Sequence, residues 1–241
     1  MSRHLVLFAR EPAREARSKG FPSEDGATLF ASFAAGWLDA AGSAGAVVVV
    51  ATPAEDRPAW RDAFRGALQP AWIQQRGSSL GARLEHAARE ARSLGGHAIL
   101  VGGDVVPAPA ALEAAFVALE SGADAVLGPS PDGGLSLIGL APEDLDLLRG
   151  VRERRRNLFE DLLALLRARG RRVETVAAAA DVDGRADLRM LLRASGLSAL
   201  LASAVRRALE LAVSLPTATP RRPRVSTLHT PPALRGPPLP A

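Results

Sequence analysis

Short runs of consecutive apolar residues alternate along this chain with longer stretches in which apolar residues recur every three or four positions. The short runs are His4–Phe8, Ala46–Ala51, Ala71–Gln75, His97–Gly102, Asp124–Gly128, Leu135–Leu140 and Arg172–Ala177. Val47 to Val50 stand in a row, so that strand must be buried on both faces, as in a parallel sheet covered by helices on each side. The longer stretches predict helices over Asp25–Ala41, Pro58–Leu68, Leu80–Leu94, Ala110–Ser121, Leu158–Arg169, Arg185–Ala194 and Leu197–Leu215. In the first of these, Leu29, Phe33, Trp37 and Leu38 fall on one helical face. Repeated strand–helix units imply right-handed crossovers and a mostly parallel sheet with helices on both faces. One α/β domain over residues 1–215 is expected. Ala9–Phe21 reads as a loop.

The pattern stops at Pro216. Eight of the 18 prolines fall in residues 216–241, with four arginines and no acid. That composition predicts a disordered Pro/Arg-rich tail.

Charge changes the picture little. The formal net charge is +4, which equals the tail's four arginines, so the rest is formally neutral. A Pro/Arg tail alone is a weak case for nucleic-acid binding, and none is expected. Nearly all cations are arginine; Lys19 is the single lysine. No cysteine is present, which excludes disulfides, thiolate catalysis and zinc–thiolate sites. The first residues lack the apolar core of a signal peptide, and no run of 18 apolar residues occurs. A cytoplasmic protein with no membrane partner is expected.

In an open α/β sheet, ligands bind beyond the carboxyl ends of the strands. Four segments fall there. Ala9–Phe21 carries Arg10, Arg14, Arg17 and Lys19, which can hold a diphosphate or form a solvated basic loop neutralised by Glu11 and Glu15. Gly102-Gly103-Asp104 offers a close backbone approach and a carboxylate suited to Mg²⁺, or an Asp that caps the next helix. Asp132-Gly133-Gly134 is either a tight turn or room for a substrate. Asp181 and Asp183 project to one side of an extended segment and can share a divalent cation, or Asp183 can cap the helix starting near Arg185. The four histidines lack ligand spacing, and no P-loop, G-x-G-x-x-G or G-x-S-x-G occurs.

Taken together, in order and spacing, these segments resemble a bacterial family of GT-A-fold glycosyltransferases. That family is related to the guanylyltransferases of molybdenum-cofactor and phospholactate metabolism, and some members are assigned to arsenosugar biosynthesis. The resemblance covers about residues 4–193. It rests on Leu5-Val6-Leu7-Phe8-Ala9-Arg10-x-Pro12, on Gln74 through Gly77 with Leu80-Gly81-x-Arg83-Leu84, and on Gly103-Asp104. It continues in Leu127-Gly128-Pro129-x-x-Asp132-Gly133-Gly134, Leu137-Ile138-Gly139-Leu140 and Asp181-Val182-Asp183-x-x-x-Asp187-Leu188.

The resemblance implies a Rossmann-like GT-A (nucleotide-diphospho-sugar transferase) fold and a metal-dependent glycosyltransferase or nucleotidyltransferase. It implies a nucleotide or nucleotide-sugar donor, Mg²⁺ or Mn²⁺, and a small-molecule acceptor. Carried over by position, Asp104, Asp181 and Asp183 would hold the metal, with Asp104 and Asp132 catalytic. Arg10, Arg17, Lys19, Gln75, Gly81 and Gly103 would bind the nucleotide and diphosphate, and Gly133 and Gly134 would line the substrate side. The chain departs from the family pattern at Glu15, where a glycine is usual, and in Arg17-Ser18-Lys19-Gly20, where Lys-Thr-Arg is usual. It departs again at Ser79, Val105-Val106 and Leu135. These changes leave open a non-catalytic member that binds a nucleotide or a protein.

Overall fold

The computed structural model describes residues 1–64, 70–152, 157–193 and 199–214. The tail read at 216–241 lies outside the described residues, as does the end of the Pro58–Leu68 helix.

Seven strands form one sheet: β1 (Arg3–Phe8), β2 (Val47–Thr52), β3 (Ala71–Gln74), β4 (His97–Gly102), β5 (Ala125–Pro129), β6 (Leu135–Leu140) and β7 (Val173–Thr175). Their spatial order is β3-β2-β1-β4-β6-β5-β7. All pairs are parallel except those of β6, which is antiparallel to both β4 and β5. β5 and β6 are joined by the tight Pro129–Leu135 turn, which leaves no room for a crossover helix, so the two must run in opposite directions.

The helices are α1 (Pro12–Ser18), α2 (Glu24–Ser43), α3 (Arg57–Ala63), α4 (Leu80–Ser93), α5 (Pro109–Glu120), α6 (Leu158–Ala168), α7 (Arg185–Arg193) and α8 (Ala199–Ser214). A 3₁₀ segment over Pro142–Gly150 links β6 toward α6. Helix α1 replaces the loop expected at Ala9–Phe21. Its cause is local: Pro12 sits at N1, and Glu11 Oε2 accepts a hydrogen bond from Ala13 N at 2.9 Å. The following Ala, Arg and Glu residues are good helix formers.

Both faces of the sheet's centre are covered, which is why β1, β2, β4 and β6 are largely apolar and buried. Leu5, Leu7, Val48, Val50, Ile99 and Val101 pack with Trp37 of α2 and Leu112 and Phe116 of α5. Val6, Val49 and Leu100 face the other way, onto Leu84 and Ala88 of α4 and Leu163 and Leu166 of α6. A third cluster joins Phe21, Phe30, Phe33, Val106, Val182, Leu188 and Val205. It lies where the α1–α2, α7 and α8 segments meet, and it fixes the chain segments that follow β4 and precede α7.

Candidate active site

β1 and β4 are neighbours, but the chain leaves them toward opposite edges of the sheet. Such a switch point opens a crevice at the carboxyl ends of the strands. A cavity of about 430 Å³ occupies it. Its polar wall is supplied by Arg10, Glu15, Lys19, Asp104, Asp132, Asp181 and Asp183.

Asp104 is placed by two glycines. Gly103 N donates to Phe8 O at 3.1 Å, and a Cβ on Gly103 would lie 2.5 Å from Ala9 Cβ. A Cβ on Gly102 would lie 2.5 Å from Asp104 Oδ1. Gly103 thus serves close packing on Ala9, and a side chain at Gly102 would displace the Asp104 carboxylate. Asp104 does not cap α5, whose N-cap residue is Ala108 and makes no side-chain cap bond. The backbone after Asp104 pairs with the segment before α7: Val106 N donates to Ala180 O at 2.8 Å, and Val182 N to Asp104 O at 2.9 Å. Val105 is buried, and its carbonyl accepts from Trp37 Nε1 at 2.9 Å. The two valines that depart from the family pattern therefore anchor this clasp, which brings residues 181–183 to Asp104.

Helix α1 ends one residue before Lys19. Phe21 N then donates to Ala16 O at 2.8 Å, and Gly20 takes φ +83°, reversing the chain. Lys19 is directed back into the cavity, where Nζ donates to Asp104 Oδ2 at 2.6 Å and also to Asp183 Oδ1. Its side chain is only 16% exposed. Burial alone would lower the Lys19 ammonium, but Asp104 and Asp183 outweigh it and hold it above the ordinary lysine range. Glu15, one turn earlier, is pushed up by burial and by the charge on Asp104.

The carboxylates that gather most closely are Asp132, Asp181 and Asp183, each offering an oxygen within 4.8 Å of the others. Asp132 stands in the β5–β6 turn, where it accepts from Ser130 Oγ and from Gly134 N, the latter at 2.9 Å. Burial, and the neighbouring charges of Asp132, Asp104 and Asp183, push Asp181 up to about 6. Asp187 Oδ2 accepts from Asp183 N at 2.9 Å and Gly184 N at 2.8 Å, and the Asp183 side chain meets Lys19.

These residues fit a hard divalent cation. Octahedral Mg²⁺ at its usual bond length places its ligand oxygens about 3–4 Å apart. The trio needs only a small contraction to reach that spacing. Asp104 lies outside the trio and reaches it through Lys19 and Asp183.

The expected residues divide. Arg10, Lys19, Gln75, Gly103, Asp104, Asp132, Gly134, Asp181 and Asp183 line one cavity. Gln75 is held there by its own side chain, Nε2 donating to Ala51 O at 2.9 Å. Arg17 lies outside it, exposed and paired with Glu11 Oε1 at 3.4 Å, because it points away on α1. Gly81 also lies outside. A Cβ there would come within 2.3 Å of Leu148 O, so this glycine serves the packing of α4 on the 3₁₀ segment. Gly133, with φ +88°, shapes the turn and does not line the cavity. Three charged lining residues were not singled out from sequence: Glu15, Arg83 and Arg152. Glu15 stands four residues before Lys19, a spacing that puts the two on one helical face. Arg83 falls within the Leu80-Gly81-x-Arg83 motif. Arg152 carries no sequence signal.

Residues 38–154 match the model of a family described as an uncharacterized protein conserved in bacteria (DUF2064). No curated protein matches the sequence. Among solved structures, a Desulfovibrio desulfuricans G20 protein assigned as a nucleotide-diphospho-sugar transferase is 23% identical, with a TM-score of 0.75 over 89% of this chain and 98% of its own. The inositol-1-phosphate CTP transferase of T. maritima is 13% identical, with a TM-score of 0.54 over 87% and 97%. A nucleotidyl transferase from Methanothermobacter thermautotroptrophicus is 18% identical, with a TM-score of 0.51 over 79% and 96%. Across residues 38–154 the chain carries the pattern of the DUF2064 family, on the fold of the nucleotide-diphospho-sugar transferases.

Proposed function

We propose that the protein is a transferase that takes a nucleotide-activated donor and passes a glycosyl or nucleotidyl group to a small-molecule acceptor, with Mg²⁺ or Mn²⁺. The observation that carries this reading is the convergence, in one cavity at the sheet's switch point, of four aspartates with Lys19 and Arg10. The transferase names of the proteins sharing this fold support the same reading.

In this reading Arg10 and Lys19 take oxygens of the diphosphate through charge-assisted hydrogen bonds. Asp181 and Asp183, with Asp132 within reach, hold the cation, and Asp104 joins them from the end of β4. A divalent cation supplies charge neutralisation of the diphosphate and its leaving group. Asp132 takes the acceptor's proton; its orientation is preset by Ser130 and Gly134 N. Gly134 keeps the turn open, since a Cβ there would lie 2.8 Å from Ser130 Oγ.

A second reading, a nucleotide-binding module without turnover, draws on the position of Arg17. The α1 segment directs only Arg10, Glu15, Ser18 and Lys19 to the cavity, so the diphosphate clamp is thinner than the sequence suggests. One experiment separates the readings. A thermal-shift screen of nucleotides and nucleotide-sugars is run with Mg²⁺, Mn²⁺ or EDTA on wild type and Asp104→Ala. A ligand at 100 times its dissociation constant stabilises the fold by about 2.7 kcal/mol. The transferase reading expects a metal-dependent shift, lost in the variant, and donor turnover. Binding untouched by EDTA and by Asp104→Ala, without turnover, points to the module. No shift with any nucleotide rejects both.

A further inference from the structure

Lys19 holds the place that a cation would take. Its ammonium bonds at once to Asp104, from the end of β4, and to Asp183, which is also one of the three clustered carboxylates. The side chain is largely buried, and it is the only lysine among 30 basic residues. The difference from arginine matters here. An ammonium is a compact point charge on a flexible stem with three freely rotating donors. It can sit among carboxylate oxygens as a metal ion does, and it can leave by rotating its stem. A guanidinium would lock into a planar fork with one carboxylate.

We propose that Lys19 is an exchangeable counter-ion that makes metal binding conditional on the diphosphate. Without ligand, Lys19 neutralises Asp104 and Asp183 and keeps their oxygens from a divalent cation. A diphosphate entering beside Arg10 draws the ammonium to its own oxygens. Asp104 and Asp183 are then free to close on the metal with Asp181. The arrangement orders the binding events: the cation is taken up with the diphosphate and held poorly alone. Lys19 acts on the metal through Asp104 and Asp183, and on the diphosphate directly. The inference rests on the metal-and-diphosphate reading given above.

The test uses metal alone and inorganic pyrophosphate, with no need to know the donor. Mn²⁺ binding is followed by electron paramagnetic resonance on the full chain. Wild type should bind Mn²⁺ weakly, and Lys19→Met should bind it about tenfold more tightly or better, the size of a typical coupling between two sites. Lys19→Arg, which keeps the charge, should remain as weak as wild type. The single lysine permits a second measurement that needs no variant. In protein labelled with ¹⁵N-lysine, one Nζ resonance reports on this ammonium; Mg²⁺ alone should leave it in place, and pyrophosphate with Mg²⁺ should move it. Equal Mn²⁺ affinity in wild type and Lys19→Met, or displacement of the Nζ signal by Mg²⁺ alone, overturns the counter-ion role and leaves the metal reading standing. Mn²⁺ binding by neither protein, with an Nζ signal unmoved by pyrophosphate and Mg²⁺, overturns both.

Discussion

Two of the clusters of acids and basic residues on this fold differ in how their charges are matched. At the foot of the 3₁₀ segment, Asp144 is fully buried and is met by Arg169 NH1 at 3.0 Å and Arg171 Nε at 2.7 Å, while Arg169 also binds Asp146 at 3.0 Å. Charge is balanced there by direct ion pairs, and none of these residues lines the cavity. At the mouth of the sheet the opposite holds. Glu15, Asp104, Asp132, Asp181 and Asp183 gather around Lys19, and among the described residues neither Asp132 nor Asp181 has an ion-pair partner. The first arrangement welds a turn to the body of the domain. The second leaves carboxylates without ion pairs of their own, at the place where the fold accepts ligands.

The sharpest way to break this comparison is to remove one acid from each cluster. Asp144→Ala removes a buried anion from Arg169 and Arg171, which keep Asp146 and Glu143, and should cost about 1–3 kcal/mol of stability. Urea denaturation reads that loss, and Mn²⁺ binding per folded molecule should stay as in wild type. Asp104→Ala should do the reverse. Donor turnover, once a donor is found by the screen, should fall on the order of 10²-fold or more, as when a preorganised electrostatic group is lost. Its urea midpoint should move far less than that of Asp144→Ala.

Protons supply a gentler probe. Asp181 is pushed up to about 6 in the folded protein, above the ordinary carboxylate value near 3.8. The native state therefore binds more protons than the unfolded chain between those values, and stability falls as pH rises through that window. In EDTA, Asp181→Asn should abolish this fall and leave the protein about 1–2 kcal/mol more stable than wild type at pH 7, after allowance for solvent screening. Urea midpoints at pH 4.5 and 7 measure it; a wild type with no excess fall over the variant would contradict the picture of unmatched charge. The smallest effect is expected at Arg17. Its exposed pair with Glu11 lies outside the cavity, so Arg17→Ala should change stability by less than about 0.5 kcal/mol. It should also leave any nucleotide-dependent thermal shift unchanged; loss of that shift would bring Arg17 back into the diphosphate site.

The sequence by itself determined what short-range physics can encode. The uninterrupted Val47–Val50 run announced a strand buried on both faces, and the spacing of Leu29, Phe33 and Trp37 announced the helix that covers one of them. The glycines before Asp104 and after Asp132 marked the two turns at which the sheet meets the cavity. Tertiary structure decided the rest, because the deciding contacts join residues far apart in the chain. Lys19 reaches Asp104 and Asp183 only because the backbone around Val105 pairs with that around Asp181, a contact that no local pattern announces. Asp132 stands beside Asp181 and Asp183 because antiparallel β6 folds the β5–β6 turn back over the carboxyl end of β4. Arg17 and Gly81 were expected as ligand contacts from their positions in the family resemblance. One helical turn of α1 and a carbonyl of the 3₁₀ segment placed them elsewhere, since a side chain's direction is set by the packing of its element.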